Sequence, residues 1–183
     1  AVFWWGCQSI LKAVLLGPTS IQWQFTDEAN NEDGLYIATG TKPSSYWSPN
    51  LGPITSPQTG GTTSWWQLNL STNTQYTVYA GATNTAGSNW TSEISSYTLA
   101  VQPGPLTANT STQSSIKLNW TANTNPSGTK YGVKYATATD FYVSTTAYNF
   151  ASGLIDNTTV VYNLSANTTY WFRVWAYNGD QID

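Results

Sequence analysis

The sequence predicts an all-β protein of two tandem sandwiches, and three observations carry that prediction. The first is composition. Of 183 residues, 48 are Ser or Thr and 16 are Asn, while aromatics make up 15% and charged residues only 8%. β-branched and aromatic side chains suit pleated strands, and Asn, Ser, Gly and Pro suit the turns between them. The second is an internal repeat. The third is a period-two alternation of apolar residues in both copies of that repeat.

The repeat is read from two separate stretches. Leu70 to Asn84 (LSTNTQYTVYAGATN) aligns with Leu164 to Asn178 (LSANTTYWFRVWAYN), 94 positions later. Thr19 to Phe25 (TSIQWQF) aligns with Ser114 to Trp120 (SSIKLNW), 95 positions later. Features some 50 residues apart keep their spacing in both halves, which is the mark of a duplicated domain. VQPGP, residues 101–105, is a Pro/Gly linker between the copies. The expected organisation is an N-terminal segment at 1–16, a first domain at 17–100, the linker, and a second domain at 106–183.

Each half then reads as short strands in order. The first half places Ile21, Trp23 and Phe25 inward, then Leu35 and Ile37. Trp66, Leu68 and Leu70 follow, and then Tyr76, Val78, Ala80 and Ala82. The second half gives Ile116, Leu118 and Trp120, then Tyr131, Val133 and Tyr135. Val160, Tyr162 and Leu164 come next, and then Tyr170, Phe172, Val174 and Ala176. About seven short strands in such a span is the sandwich pattern.

Leu-x5-Tyr before an alternating strand that ends in Ala-x-Asn occurs twice, at Leu70/Tyr76 and Leu164/Tyr170. It resembles the tyrosine corner and sixth strand of fibronectin type III domains, which have an immunoglobulin-like fold. Trp120 stands where that family keeps a core Trp, and Phe25 takes the place in the first half. Phe25 to Ile37 (FTDEANNEDGLYI) is similar to a loop-and-strand motif of bacterial and archaeal members. The resemblance covers residues 17–178. It implies two such domains and is nearly silent about function, because the fold serves many roles.

Several functions are excluded by residue types. There is no His and a single Cys, Cys7, so Ser-His-Asp, Cys-His and His-metal arrangements are ruled out. Carboxylates are too few and too clustered for paired acid–base hydrolysis of glycosides, and the protein is expected not to be an enzyme. A net charge of −3 with six scattered Lys and Arg gives no stripe for nucleic acid. No apolar run is long enough to insert in a membrane. A lipobox reading of WWGCQS fails, because Trp4 occupies the position that wants Leu and the apolar run follows Cys7. The composition points to an extracellular setting.

The candidate sites are three. Asp27, Glu28, Glu32 and Asp33 share one loop and offer hard oxygen ligands for calcium; the plainer reading is a solvated turn, with no cofactor. Seven Asn-x-Ser/Thr sequons lie at Asn69, Asn89, Asn109, Asn119, Asn157, Asn163 and Asn167. Asn69, Asn119 and Asn163 are expected on outward strand positions. The third site is aromatic. Alternation along the strand from Tyr170 turns Trp171, Arg173, Trp175 and Tyr177 away from the core, where an uncovered aromatic row is costly. The row is expected to contact another subunit or sugar rings, or to be shielded by Lys134 and loops.

By the repeat offset, a seventh strand of the second half falls near position 185, whereas the first half supplies one at about Thr91 to Ala100. The second sandwich is therefore expected to lack its last strand. Two readings follow: the chain is a piece of a longer array of such domains, or Val2, Phe3, Trp4 and Trp5, which are apolar and β-prone, complete the same edge of a neighbouring copy. The expected function is a surface filament or array subunit joined head to tail by strand addition, its partners copies of itself. The alternatives are a carbohydrate-binding accessory module of a secreted polysaccharide-degrading enzyme, with surface glycans as partners, and a plain spacer.

Overall fold

A computed structural model of the chain describes residues 9–26, 34–40, 51–54, 62–85 and 87–183. The described residues are β-strands and turns, apart from one 3-10 turn at Phe150–Ser152. Contacts divide the chain into two compact units. One is Ala1–Leu70 with Gln75–Thr98, the other Ser71–Thr74 with Leu99–Asp183. Among the described residues, no helix is long and apolar enough to cross a membrane.

The first unit contains β1 (Ser9–Gly17), β2 (Ser20–Thr26), β3 (Gly34–Thr39), β4 (Leu51–Ile54), β5 (Thr62–Gln67), β6 (Gln75–Asn84), β7 (Gly87–Trp90) and β8 (Ile94–Tyr97). β1, β2 and β5 form one antiparallel sheet, with β2 central. The other has the order β4-β3-β6. Beyond β6, two short strands share one edge. β8 pairs with Gln75–Val78 and β7 with Gly81–Asn84. Ile21, Trp23 and Phe25 of β2 face Leu35 and Ile37 of β3 and Val78, Ala80 and Ala82 of β6. These eight side chains are sealed from solvent, as the alternation predicts. Trp23 Nε1 donates to Gln67 Oε1 at 3.0 Å, so the buried indole keeps a partner.

The second unit repeats the plan with β9 (Thr107–Thr112), β10 (Ser115–Asn119), β11 (Lys130–Ala136), β12 (Thr145–Tyr148), β13 (Thr158–Val161) and β14 (Trp171–Tyr177). Its sheets are β9-β10-β13 and β12-β11-β14. Leu118, Trp120, Tyr131, Val133, Val161, Leu164 and Ala176 form the core. Trp120 meets Tyr131 edge to face, with ring centroids 5.5 Å apart.

The duplication extends to single hydrogen bonds. Leu70 N–H donates to Thr19 O at 3.0 Å, and its repeat mate Leu164 N–H donates to Ser114 O at 3.0 Å. Tyr170 packs against the second core, and its hydroxyl accepts from Ser165 N–H at 2.9 Å. That is the tyrosine-corner geometry. Tyr76 packs the same way against the first core.

Two strand registers differ from the expectation. On β5, Trp65 packs against the core, while Trp66 is 46% and Leu68 59% exposed. On β13, Val161 is buried and Tyr162 is 63% exposed, with Val160 only half-buried. Counting back from Leu70 and Leu164 by twos puts the wrong residues inside, because Asn69 and Asn163 adopt left-handed backbone with φ of 57° and 61°. One left-handed residue breaks the alternation of a strand. Asn tolerates that conformation better than most side chains. Asn69 and Asn163 therefore sit in exposed bends rather than on strands.

Candidate interaction edge of the second unit

The features outside the cores converge on β14. Its inward residues Phe172, Val174 and Ala176 join the second core. Its outer row is Trp171, Arg173, Trp175 and Tyr177, as the alternation requires. Trp171 is 37% exposed at the start of the strand and Arg173 is exposed. Trp175 and Tyr177 are half-buried, because neighbouring side chains cover them. Tyr177 lies edge-on to Trp175 at 5.8 Å and to Phe150 at 5.5 Å. Lys130 Nζ stands 3.9 Å above the Phe150 ring, and the Arg173 guanidinium carbon 4.1 Å above Phe141. Lys134 Nζ lies 5.9 Å from Trp175. The row is a ladder of alternating cations and rings, a favourable arrangement at a partly wet surface.

Trp175 lies flat on the sheet because its cross-strand partner is Gly132. A Cβ at Gly132 would stand 2.2 Å from the Trp175 ring. The first unit uses the same device. Trp90 pairs with Gly81, and a Cβ there would stand 2.4 Å from the indole. Trp90 forms a buried patch with Ala38 and Tyr79 on the outer face of its sheet. The Tyr79 hydroxyl donates to Glu93 Oε2 at 2.9 Å, and that bond, with burial, raises the tyrosine above its ordinary pKa of 10.0. Sequence reading missed both Gly–Trp pairs. The signal was present as a glycine inside each predicted strand, which marks a close approach.

The two edges of β14 are unequal. Its register with β11 pairs Tyr131 with Ala176, Val133 with Val174 and Tyr135 with Phe172. Tyr131 N–H is spent on the other side, on Leu154 O at 2.8 Å. These are therefore the non-hydrogen-bonded pairs, and the backbone N–H and C=O of Phe172, Val174 and Ala176 point away from β11. In the first unit the matching groups are paired. Ala80, the counterpart of Val174, donates to Thr91 Oγ1 at 3.1 Å and accepts from Thr91 N–H at 2.8 Å. Val78, the counterpart of Phe172, pairs with Ile94 of β8. Among the described residues, no strand pairs with the outer edge of β14. An open cleft of about 490 Å³ runs there, between Phe172–Val174 and the segment Gln102–Leu106.

The remaining candidates are placed as follows. Val2, Phe3, Trp4 and Trp5, and the acidic residues Asp27, Glu28, Glu32 and Asp33, lie outside the described residues. Among the sequons, Asn109, Asn157 and Asn167 are exposed, as are Asn69 and Asn163. Asn89 on β7 is half-buried. Asn119 ends β10 half-buried, its Oδ1 accepting from Thr158 Oγ1 at 2.9 Å. None of the seven stands on β11, β12 or β14.

The family model of the fibronectin type III domain matches residues 101–182. Among solved structures, the chain is similar to the FN1–FN3 domains of chicken CNTN1, at 19% identity and a TM-score of 0.43 over 94% of this chain and 62% of that one. It is similar to a two-domain fibronectin type III segment of chicken tenascin, at 16% identity and a TM-score of 0.48 over 94% and 91%. No curated protein matches the chain.

Proposed function

We propose, on the premise that the second unit is a fibronectin type III domain and the first repeats its fold, that the chain is an extracellular structural and adhesive protein whose copies join head to tail by strand addition. Domains of this family are commonly extracellular and generally non-catalytic. The observation that carries the assembly reading is the outer edge of β14. Where β6 is flanked by β7 and β8, β14 has a cleft. Unpaired strand edges are templates for another chain, and folds otherwise blunt or cover them. A strand added in each copy by the next is a heterologous contact, which repeats into a filament. The exposed Trp171 on this strand adds an apolar contact at the same edge. Among the described residues, the most exposed aromatics in loops are tyrosines, Tyr142 at 92% and Tyr162 at 63%, so these residues offer a sugar platform less than they offer assembly.

The test is the oligomeric state of the full chain beside that of Val174→Pro. Val174 N–H points at the open edge, so proline there removes a docking donor without breaking the β11–β14 ladder. The expected result is concentration-dependent oligomers for the parent and a folded monomer for the variant in analytical ultracentrifugation. A parent chain that stays monomeric at every concentration sinks the reading.

A further inference from the structure

The cleft beside β14 has a wall that ought to close it and does not. Gln102–Leu106 runs along the open edge, close enough to line it, yet none of its backbone groups pairs with β14. Pro103 and Pro105 carry no N–H. Two of its other groups, and the backbone of Val101 just before it, bond on the opposite side, to the turn between β10 and β11. Val101 N–H donates to Asn125 Oδ1 and Val101 O accepts from Asn125 Nδ2, both at 2.7 Å. Gln102 O accepts from Asn123 Nδ2 at 3.3 Å, and Gly104 N–H donates to Thr121 O at 2.9 Å. Asn125 is only 7% exposed, and its Nδ2 also reaches Ala122 O at 2.9 Å. A Cβ at Gly104 would stand 1.8 Å from Thr121 Oγ1, so the wall lies as close to the turn as a backbone allows. Leu106 at the end of the wall packs against the second core.

We infer that this clamp, centred on Asn125 and Gly104, holds open a preformed acceptor groove, and that its occupant is the N-terminal segment Ala1–Gln8 of a second copy, seated antiparallel to β14. The inference rests on the strand-addition reading and adds the device that holds the linker off the edge. The first unit gives the direction and register. β8 runs antiparallel to β6, with Ile94 opposite Val78 and packed on the core. The counterpart of Val78 is Phe172, so the seated strand turns one apolar side chain inward beside Phe172 and Leu106. Eight residues reach roughly 26 Å at about 3.3 Å per residue, ample for a stretch that β8 covers with four residues. Ala1 to Trp5 is uncharged and apolar, which suits a groove walled by Pro103, Pro105, Leu106, Phe172 and Val174. Preorganisation of this kind lowers the ordering cost of docking an extended segment.

The experiment uses isotope-labelled chain lacking residues 1–8 and an unlabelled peptide of sequence AVFWWGSQ, in which Cys7 is replaced by Ser to prevent oxidation. Amide exchange is read residue by residue. Protection gained at Phe172, Val174 and Ala176 is the expected result. Asn125→Ala and the milder Gly104→Ala should each weaken peptide binding about tenfold or more, the equivalent of one clamp hydrogen bond. Tight binding by both folded variants overturns the clamp and leaves strand addition standing. Equal protection from a peptide of the β8 sequence TSEISSYT overturns the assigned occupant. No protection from either peptide, with the full chain monomeric, removes strand addition itself.

Discussion

At the scale of single residues, the two cores and the two Gly–Trp pairs are the points at which one atom decides the outcome. Trp120 is 5% exposed, belongs to the second core and meets Tyr131 edge to face. Trp120→Ala is expected to cost about 3–5 kcal/mol in denaturant unfolding, as large aromatic truncations in cores do. Among the described residues its buried indole N–H has no acceptor, so the contribution they account for is packing rather than hydrogen bonding. Gly132→Ala tests the outer face. The new methyl meets the Trp175 ring at 2.2 Å, and overpacking of this kind costs about 1–3 kcal/mol. Pairing it with Trp175→Ala should recover most of the loss, and a double-mutant cycle with no coupling would refute the account. A titration belongs here too. Burial raises Tyr131 above its ordinary pKa of 10.0, against a smaller opposing pull from Asn125. Tyr131 therefore holds its proton in the folded state when the unfolded chain has begun to lose it. The associated stability is complete below pH 10 and falls as the pH climbs above it. Unfolding curves between pH 9 and 11 should show that fall, and Tyr131→Phe should flatten part of it.

At the scale of strands, β2, β3, β6, β11 and β14 were legible in the sequence, because each alternates without interruption and one face of each meets a core. The misread strands, β5 and β13, fail for one reason in both units. The residue just before Leu70 and Leu164 is a left-handed Asn, and a period-two count run backward through it changes face. Nothing in the alternation marks such a residue, although Asn two places before Ser in a Leu-Ser motif is the type that favours it. β8 falls within the seventh strand expected at about Thr91 to Ala100, whereas β7 lies before it and was not expected; Thr91, which bonds to Ala80, stands between the two. The outer row of β14 was legible as a row, but not its covering. Phe141 and Phe150 come from loops, where no periodicity predicts which way a ring turns. The left-handed bend has its own test. Asn163→Gly should be neutral within a few tenths of a kcal/mol, whereas Asn163→Val forces a β-branched residue to positive φ and should cost about 1–2 kcal/mol. Equal stabilities in thermal unfolding would show that the bend relaxes.

At the scale of the whole molecule, the described residues of the two units differ at one edge: β6 is flanked by β7 and β8, whereas no described strand pairs with the outer edge of β14. An open edge is what the repeat offset leads one to expect. The cleft and its clamp are not legible there, because they depend on where the linker's polar groups find partners. The consequence for assembly can be put in magnitudes. Seating one large apolar side chain in the β14 groove gains about 1.5–3 kcal/mol, before the costs of association, which are larger. Main-chain pairing and the preformed wall must therefore tip the balance, and affinity should respond steeply to small changes at either. Removing residues 1–8 is the direct trial on the intact protein. The described β1 runs from Ser9 and pairs with β2 from that residue onward, so the first sandwich keeps every described strand and its melting transition should not move. Oligomers should disappear, and the amides of Phe172, Val174 and Ala176 should exchange as freely as those of an exposed edge. Mixing the shortened chain with full-length protein should cap growth, because the shortened copy accepts a strand and donates none. Polymer length, measured by light scattering, should fall as its fraction rises. Growth that ignores the shortened chain would mean that copies meet through another surface.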